Sequence, residues 1–383
     1  MVINSNENNS IKSNNSIKSK KSIKSNNSIK SIKSIKSNNS VKTKKIKNQP
    51  NILNNIKIKK LNSNIIMPLY STGYMMDSKV IQSVIPDSSI SINNVTYKKA
   101  FMNIFIQDVN RKFLNNALFN LVIINHELFF HKGVNKNSEI YDIDFVLCKT
   151  DIAVRVAKDF KNKYKFKYII YKIGFTSLFP ILKIKKNYDE MLHSAGSHHW
   201  KQTDTIIKLW LKQPQLPKII ITCEKQCYKN IEPIIKNRKL PNNIKIYTKL
   251  ISKDKYIKLK NEIGIHIVPS LTEGYGHYIN EARMLGSLIL TSNYAPMNEL
   301  VDKNCGILVD CNSLLTKRNN TKICYINEEN LLKGINKILK MKTSKKKELG
   351  KKAYKKYRKD KLFFEKRTKK LFDFLYNKIK NKN

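Results

Sequence analysis

Two glutamates, Glu273 and Glu281, flank a Gly-Tyr-Gly in the stretch PSLTEGYGHYINEARMLG, where an apolar strand pattern gives way to a helical one. Gly274 and Gly276 allow backbone N–H groups to approach an anion closely, and the start of a helix adds a partial positive charge, which suits a diphosphate. The two carboxylates can lie ~10 Å apart and accept hydrogen bonds from a hexose and a ribose. The spacing alone also fits a surface helix that happens to carry two acids.

The elements that must position these residues alternate between strands and helices. Strand patterns occur in EMLHSAG, PKIIITC, NIKIYTK and IGIHIVPS, and helical patterns occur in TDTIIKLWLKQ, with Thr203 as its N-cap, and in KDKYIKLKNE. Upstream, MNIFIQ, NLVIINHELFF and DFVLCKT have strand patterns, and DIAVRVAKDFKNKY has a helical one. This alternation predicts an α/β protein with two tandem Rossmann-like domains, and a ligand where the carboxyl ends of their strands face a central cleft.

The predicted domain boundaries follow these patterns. We expect a tail at 1–60, a short acceptor-side domain at 61–185, a nucleotide-sugar-binding domain at 186–350 and closing helices at 351–383. The tail repeats the phrase SIKSNN and holds about fifteen lysines with a single glutamate. Such a segment cannot bury enough apolar surface to offset the entropy of ordering, which predicts a disordered, low-complexity basic tail.

The net charge of +46 suggests a nucleic-acid or other polyanionic partner, because phosphate backbones attract basic residues. However, only seven of the 74 basic residues are arginine, and lysine is spread over every segment alongside abundant asparagine and isoleucine. A biased codon composition explains that pattern. Phosphate and base recognition commonly uses the planar arginine fork, so the composition disfavours nucleic acid as the main partner.

The cysteines and the hydropathy pattern predict the compartment. No C-x2-C pair occurs among the six cysteines, which predicts reduced, buried thiols and neither a zinc ribbon nor a disulfide framework. These are Cys148, Cys223, Cys227, Cys305, Cys311 and Cys324. No apolar run of 18 residues and no signal-peptide core is present. We expect a soluble cytoplasmic protein without an integral membrane segment. Its basic tail could hold the protein at an acidic surface.

The segment PSLTEGYGHYINEARMLGSLILTSNYAPMNELV resembles the donor-binding signature of the retaining GT-B glycosyltransferases of group 1. The shared positions are Pro269, Ser270, Glu273, Gly274, Gly276, Glu281, Ala282 and Gly286. This resemblance implies a GT-B fold in which the Gly274, Tyr275 and Gly276 backbone binds the donor diphosphate. It also implies that Glu273 positions the sugar as a catalytic residue and that Glu281 binds the ribose.

The same resemblance includes GSHHWKQTDTIIKLWLKQ, in which Gly196 matches the family's glycine turn and Lys201 matches the lysine that grips the diphosphate. Two positions depart from the family pattern. Ser197 stands where an arginine or lysine is usual, and Gln202 stands where a glycine is usual. The missing phosphate contact could then come from one of the two histidines that follow Ser197, or from a lysine elsewhere in the chain.

In the first domain, NLVIINHELFF resembles the family's strand that ends in a histidine at the interdomain cleft. The resemblance gives His126, followed by Glu127, a catalytic role in hydrogen bonding the reacting sugar; a loop histidine is the alternative. YSTGYMMD stands where the family has its opening Gly-rich loop, supported only by Gly73. LGKKAYKKYRKDKLFFEKRTKKLFDFL resembles the closing helices that cross back onto the first domain.

Together these features imply a retaining glycosyltransferase that moves a hexose from a nucleoside diphosphate sugar to an unknown acceptor, which could be a glycan, a protein or a lipid. We expect no metal and no cofactor. Two alternatives stay open. Asp142 and Asp144 match an Asp-x-Asp motif, and in the other glycosyltransferase fold that motif binds a metal ion. The chain could also be a non-catalytic nucleic-acid or polyanion-binding protein on a degenerate GT-B fold.

Overall fold

A computed structural model describes residues 61–85, 87–128, 139–197, 199–249, 251–315 and 322–381. The predicted disordered tail therefore lies outside the described residues, as does His198.

The first sheet contains six strands, all parallel to their neighbours. They are β1 (Ser63–Met67), β2 (Ser88–Ile92), β3 (Ala100–Ile106), β4 (Ala117–Ile124), β5 (Phe145–Cys148) and β6 (Ile169–Lys172). Their spatial order is β2-β1-β3-β4-β5-β6. Every residue of β3 and β5 is buried, as expected for strands of a parallel sheet covered on both faces. The covering helices include α1 (Thr72–Gln82) and α2 (Asp151–Tyr164).

A ladder of buried asparagines fixes the register of the central strands of this sheet. Asn64 pairs with Asn103 across β1 and β3, and Asn103 pairs with Asn120 across β3 and β4. Their side-chain amides are joined at 2.9 and 3.0 Å. A slip of one residue would turn these amides to the opposite face, so the ladder fixes where β4 ends and hence where the cleft residues begin.

The second sheet has six further parallel strands. They are β7 (Asn187–Gly196), β8 (Ile219–Cys223), β9 (Ile244–Tyr247), β10 (Ile263–Val268), β11 (Leu288–Ser292) and β12 (Ile307–Val309). Their order, β12-β11-β10-β7-β8-β9, reverses between β7 and β10. In such a sheet the crevice at the carboxyl ends of those two strands is the usual ligand site. The predicted α/β class with two Rossmann-like domains is confirmed.

Helices on both faces of the second sheet complete the domain. They are α3 (Thr203–Lys212), α4 (Lys225–Ile235), α5 (Lys253–Glu262), α6 (His277–Met284), α7 (Met297–Leu300) and α8 (Glu328–Leu339). Trp210 and Ile335, both fully buried, pack with the inner strands into one apolar core. An antiparallel hairpin of β13 (Asn312–Leu315) and β14 (Lys322–Tyr325) lies beside this domain, and three short 3-10 helices occupy Arg111–Asn116, Glu139–Asp142 and His199–Lys201.

One helix, α9 (Thr343–Lys380), contacts both sheets. Near its start Gly350 lies against the carbonyl of Gly286, leaving no room for a side chain there. Further along, the Phe372 ring lies 5.0 Å from that of Phe101 in the first sheet. The helix thus spans both domains, beginning earlier than the predicted boundary at residue 351. Residues 173–186, which join the two sheets, contain no helix or strand.

Three predictions need correction. Residues 72–77 of the expected Gly-rich loop form the start of α1, because Ser71 accepts a hydrogen bond from the Tyr74 N–H and caps that helix. Thr203 is the first residue of α3, and Gln202 takes the N-cap position in a left-handed conformation without a side-chain cap. Cys311 and Cys324 form a disulfide, so these two thiols are not free. The other four cysteines are free and buried.

Among the described residues, no helix is both long enough and apolar enough to cross a membrane.

Candidate active site

Lys201 and Glu273 form an ion pair at the point where the strand order of the second sheet reverses. Lys201 ends the short 3-10 helix that follows β7, and Glu273 lies in the loop after β10. The Ser270 hydroxyl donates a 2.5 Å hydrogen bond to the same oxygen of Glu273. Both charged side chains keep some exposure, 17% and 11%, so a ligand in the crevice can reach them.

Glycine conformation shapes the two loops that carry this pair. Gly196, at the end of β7, has a φ of +60°, and Gly276, directly before α6, has a φ of +94°. Both values lie in the left-handed region, which other residues adopt only with strain. At Gly276 no side chain caps the first N–H groups of α6. Two of the three predicted donor-binding glycines, Gly196 and Gly276, therefore hold turns that leave backbone N–H groups available near Lys201.

The opposite wall of the cleft comes from the end of β4. Asn125, His126 and Glu127 follow that strand, and the Asn125 N–H donates 2.5 Å to the side-chain oxygen of Gln107. A Cβ on Gly274 would lie 2.6 Å from Asn125 and 2.8 Å from the Glu127 carboxylate. The structure thus places Glu127 against the loop that carries Glu273, and the predicted His126 is its neighbour in the chain.

Burial perturbs the two titratable residues of this wall in different ways. For His126, burial and then the charges of Lys149 and Arg155 lower the pKa to about 3, so the imidazole is neutral. For Glu127, burial, together with the negative charges of Glu273 and Asp77, raises the pKa to about 7 against the opposing Lys149 charge. Near neutral pH the cleft therefore contains a neutral imidazole and a carboxyl group that can be protonated.

A buried polar cluster under this wall was not predicted. Lys149, directly after β5, donates 2.8 Å to Asp77 of α1 and also donates to Asn125. The other Asp77 oxygen lies 2.9 Å from Nε2 of His277, whose Nδ1 lies 2.8 Å from the Ser177 hydroxyl. The cluster joins the first domain to the start of α6. The only sequence signal for it was a lysine directly after an apolar strand.

A second link between the domains involves Glu299 of α7, a residue in the segment NELV. Its two carboxylate oxygens accept hydrogen bonds from the backbone N–H groups of Asp151 and Ile152, at 2.6 and 2.8 Å. These groups belong to the first turn of α2, where a carboxylate is stabilised by the helix dipole. Glu299 therefore caps a helix of the first domain from the second.

Tyr275 is oriented differently from the glycines on either side of it. Its side chain is buried, its hydroxyl donates 2.7 Å to the Phe175 carbonyl, and its ring meets that of Phe175 edge-on at 5.1 Å. Burial raises the pKa of this phenol well above its usual range. The Tyr275 side chain thus packs against the segment joining the domains, and the predicted donor contact of this residue is one that its backbone alone could make.

Glu281 lies on α6 and is 5% exposed. Its Oε2 forms an ion pair with Lys260, a fully buried lysine of α5. The prediction of a carboxylate about one turn into the helix matches this position, but the paired lysine was not predicted. Lys260 sits in a lysine-rich helix whose sequence does not distinguish it from its exposed neighbours.

Gln202, the departure from the family's glycine, has a structural role. Its side-chain amide donates 2.5 Å to the Pro269 carbonyl and accepts 2.9 Å from the Ile326 N–H, so it ties the two cleft loops to the segment after β14. Ser197 lies in the turn after β7, and His199 begins the 3-10 helix.

The Asp-x-Asp alternative has a structural explanation. Asp144 accepts a 2.8 Å hydrogen bond from the Asn120 N–H, and Asp142 lies 3.8 Å from Arg111. Both carboxylates therefore have protein partners that hold the loop leading into β5.

Comparisons with known proteins identify a matching family and structures with a similar fold. Residues 175–356, which include β7 to α8, match the family described as Glycosyl transferases group 1. Comparison with curated protein sequences gives no significant match.

Solved structures share the two-domain arrangement. TarM of S. aureus is similar at 18% identity and a TM-score of 0.53, over 71% of this chain and 54% of TarM. The pneumococcal O-GlcNAc transferase GtfA, in complex with UDP and GlcNAc, matches at 15% identity and a TM-score of 0.52, over 71% of this chain and 57% of that one. HepE of Anabaena, in complex with UDP and glucose, matches at 11% identity and a TM-score of 0.59, over 82% of this chain and 100% of HepE.

The second sheet with its helices thus lies within the segment that matches the glycosyl transferases group 1 family, and the two-domain arrangement is the GT-B fold. This chain spans little more than half the length of TarM and GtfA, at 54% and 57%. At these identities the likeness to the solved structures shows the fold.

Proposed function

We propose that this protein is a retaining glycosyltransferase that moves a hexose from a nucleoside diphosphate sugar to an acceptor. The observation that carries the proposal is the ion pair of Lys201 and Glu273 at the switch point of the second sheet. The group 1 family match and the complexes of GtfA and HepE with UDP and a sugar support this choice of donor.

The ion pair suggests how the donor is recognised. In the free protein, Lys201 and Glu273 neutralise one another. A donor offers each of them a better partner, since its diphosphate attracts the ammonium group and its hexose hydroxyls donate to the carboxylate. The backbone between Gly274 and Gly276 and the start of α6 add donors for the phosphate oxygens. Binding thus exchanges one ion pair for several charge-assisted contacts.

The chemistry proceeds by transfer on one face of the sugar. The bond between the anomeric carbon and the diphosphate breaks, the acceptor oxygen bonds to the same face, and the departing phosphate oxygen takes the acceptor proton. Lys201 and the helix start stabilise the negative charge that develops on the leaving group. His126, kept neutral by burial, can hydrogen bond a hexose hydroxyl without adding charge. In this scheme no separate general base, metal or cofactor is required.

Donor turnover tests the proposal directly. The protein is incubated with UDP-, GDP- and ADP-hexoses in water, which acts as a substitute acceptor, and the released sugar is followed by proton NMR. We expect one of these donors to be hydrolysed, with the first-formed sugar keeping the donor's anomeric configuration. The Glu273→Gln variant should be at least about 100-fold slower, since it loses a charge-assisted contact in the transition state.

The matched control is Lys208→Met, an exposed position on α3 that should leave turnover unchanged. Release of the opposite anomer would contradict the retaining mechanism. Equal turnover by wild type and Glu273→Gln would contradict the proposed site. A polyanion-binding protein, the alternative, would bind RNA while hydrolysing none of the donors.

A further inference from the structure

The Lys260 side chain of α5 lies among three aromatic rings next to α6. Its side chain is fully buried, and its Nζ lies 4.2 Å from the ring centre of Tyr278, 4.7 Å from that of Phe179 and 5.3 Å from that of Tyr256. The three rings come from α6, from the segment joining the domains and from α5. A desolvated ammonium group among three aromatic faces is held by cation–π attraction in a defined place.

The one carboxylate that pairs with this ammonium group, among the described residues, is Glu281. Lys260 Nζ contacts its Oε2, and Glu281 lies three residues after Tyr278 on α6. Among the described residues, Oε1 of Glu281 has no hydrogen-bond partner. The lysine therefore fixes one oxygen of the carboxylate and leaves the other for a ligand.

We propose that Lys260 is a positioning residue that sets the ribose specificity of the donor site through Glu281. The inference rests on the proposed function, in which Glu281 accepts hydrogen bonds from the ribose. Burying a carboxylate group costs free energy unless it is paired, and its geometry is defined only when something holds it. Lys260 supplies both conditions without touching the nucleotide, so its removal should affect recognition of the ribose hydroxyls above all.

The test measures dissociation constants for three matched pairs, UDP and 2′-deoxy-UDP, GDP and 2′-deoxy-GDP, and ADP and 2′-deoxy-ADP. We expect the wild type to prefer the ribose form of at least one pair. In Lys260→Met, which keeps an apolar stem among the three aromatic rings, the ribose form should bind at least about tenfold more weakly, because a charge-assisted hydrogen bond is lost. Binding of the deoxy form should change little.

A second variant and a control keep the test decisive. Removing one partner of a buried ion pair is destabilising, so Lys260→Gln, which keeps a donor for Glu281 but no charge, is measured as well. Lys258→Met, at an exposed position of the same helix, should preserve the ribose preference. A purely structural lysine would lower both affinities equally and leave the preference unchanged.

The outcomes separate the inference from the function it rests on. If the wild type binds none of the six nucleotides, the proposed function fails and the inference fails with it. If the wild type binds without preferring ribose, the role of Glu281 is wrong, which overturns the inference alone. If folded Lys260→Met and Lys260→Gln retain the full preference, Lys260 does not position Glu281.

Discussion

His277 and Asp77, 200 residues apart in the sequence, are joined by a 2.9 Å contact between Nε2 and Oδ1. His277 is the first residue of the helix that follows the glycine turn, and Asp77 belongs to α1 of the first domain. Asp77 also accepts a hydrogen bond from the buried Lys149, which follows β5. One carboxylate therefore links the end of a strand in the first domain to α6 of the second. The position of the proposed donor site thus depends on residues outside it.

Replacing Asp77 with asparagine should therefore destabilise the fold strongly. Burial acts to raise the pKa of Asp77, but Lys149 and His277 outweigh it and hold the pKa below its usual range. The variant leaves Lys149 buried without its carboxylate, so we expect a loss of about 3–5 kcal/mol in the free energy of unfolding. Urea unfolding measures it, with the exposed Asp159→Asn as the control. Equal losses in both variants would rule out a structural role for the buried pair.

Glu127 should make stability fall as the pH rises. Its folded pKa is about 7, above the ordinary 4.5, so between these values the folded state holds a proton that the unfolded state has released. The contribution of Glu127 to stability is then largest below about pH 4.5 and declines through pH 7, by about 3 kcal/mol in total. The difference in unfolding free energy between wild type and Glu127→Gln, measured from pH 5 to 8, isolates this residue. A difference that does not vary with pH would contradict the prediction.

Gly274 should not tolerate a side chain, because a Cβ there would lie 2.6 Å from Asn125 and 2.8 Å from the Glu127 carboxylate. Gly274→Ala forces the Asn125 and Glu127 side chains out of their places beside the loop, so we expect donor turnover to fall at least about tenfold. Gly73→Ala is the matched control, since its Cβ would meet nothing within 4 Å. That helical position should keep full turnover and gain up to about 1 kcal/mol in stability. A fully active Gly274→Ala would show that the walls separate during catalysis.

Glu299→Ala should weaken the link between the domains. The variant removes the acceptor for two N–H groups at the start of α2, and losses of such caps are about 1–2 kcal/mol. The midpoint of urea unfolding reports the change. Glu329→Ala removes a fully exposed carboxylate from the first turn of α8 and should shift the midpoint much less. An effect of Glu299→Ala no larger than that would contradict the capping role.

Local patterns in the sequence predicted most of the fold. The alternation of apolar strands with amphipathic helices depends on neighbouring residues, and it located β7 to β10 and α5 closely. Errors arose where a distant partner decided the conformation. Gln202 and not Thr203 is the N-cap, because the Gln202 side-chain amide hydrogen bonds to the Pro269 carbonyl and the Ile326 N–H. Ile326 lies 124 residues further along the chain.

The same reason explains what could be predicted of the candidate site. Glu273, Gly274 and Gly276 lie within one loop, so a local motif was enough to select them. Lys260 and Asp77 matter because of what packs beside them, and neither has a spacing that distinguishes it from other lysines and aspartates of the chain. The side-chain direction of Tyr275 likewise depends on Phe175, which belongs to the segment joining the domains.

Binding of a nucleotide sugar at Lys201 is the central claim, and calorimetric titration tests it most directly. Wild type and Lys201→Met are each titrated with UDP-, GDP- and ADP-hexoses, with Lys208→Met as the control. We predict that one donor binds the wild type and the control equally, and binds Lys201→Met at least about tenfold more weakly, since the ammonium contact with the diphosphate is lost. If folded wild type binds none of these donors, or if Lys201→Met binds as tightly as wild type, the account is contradicted.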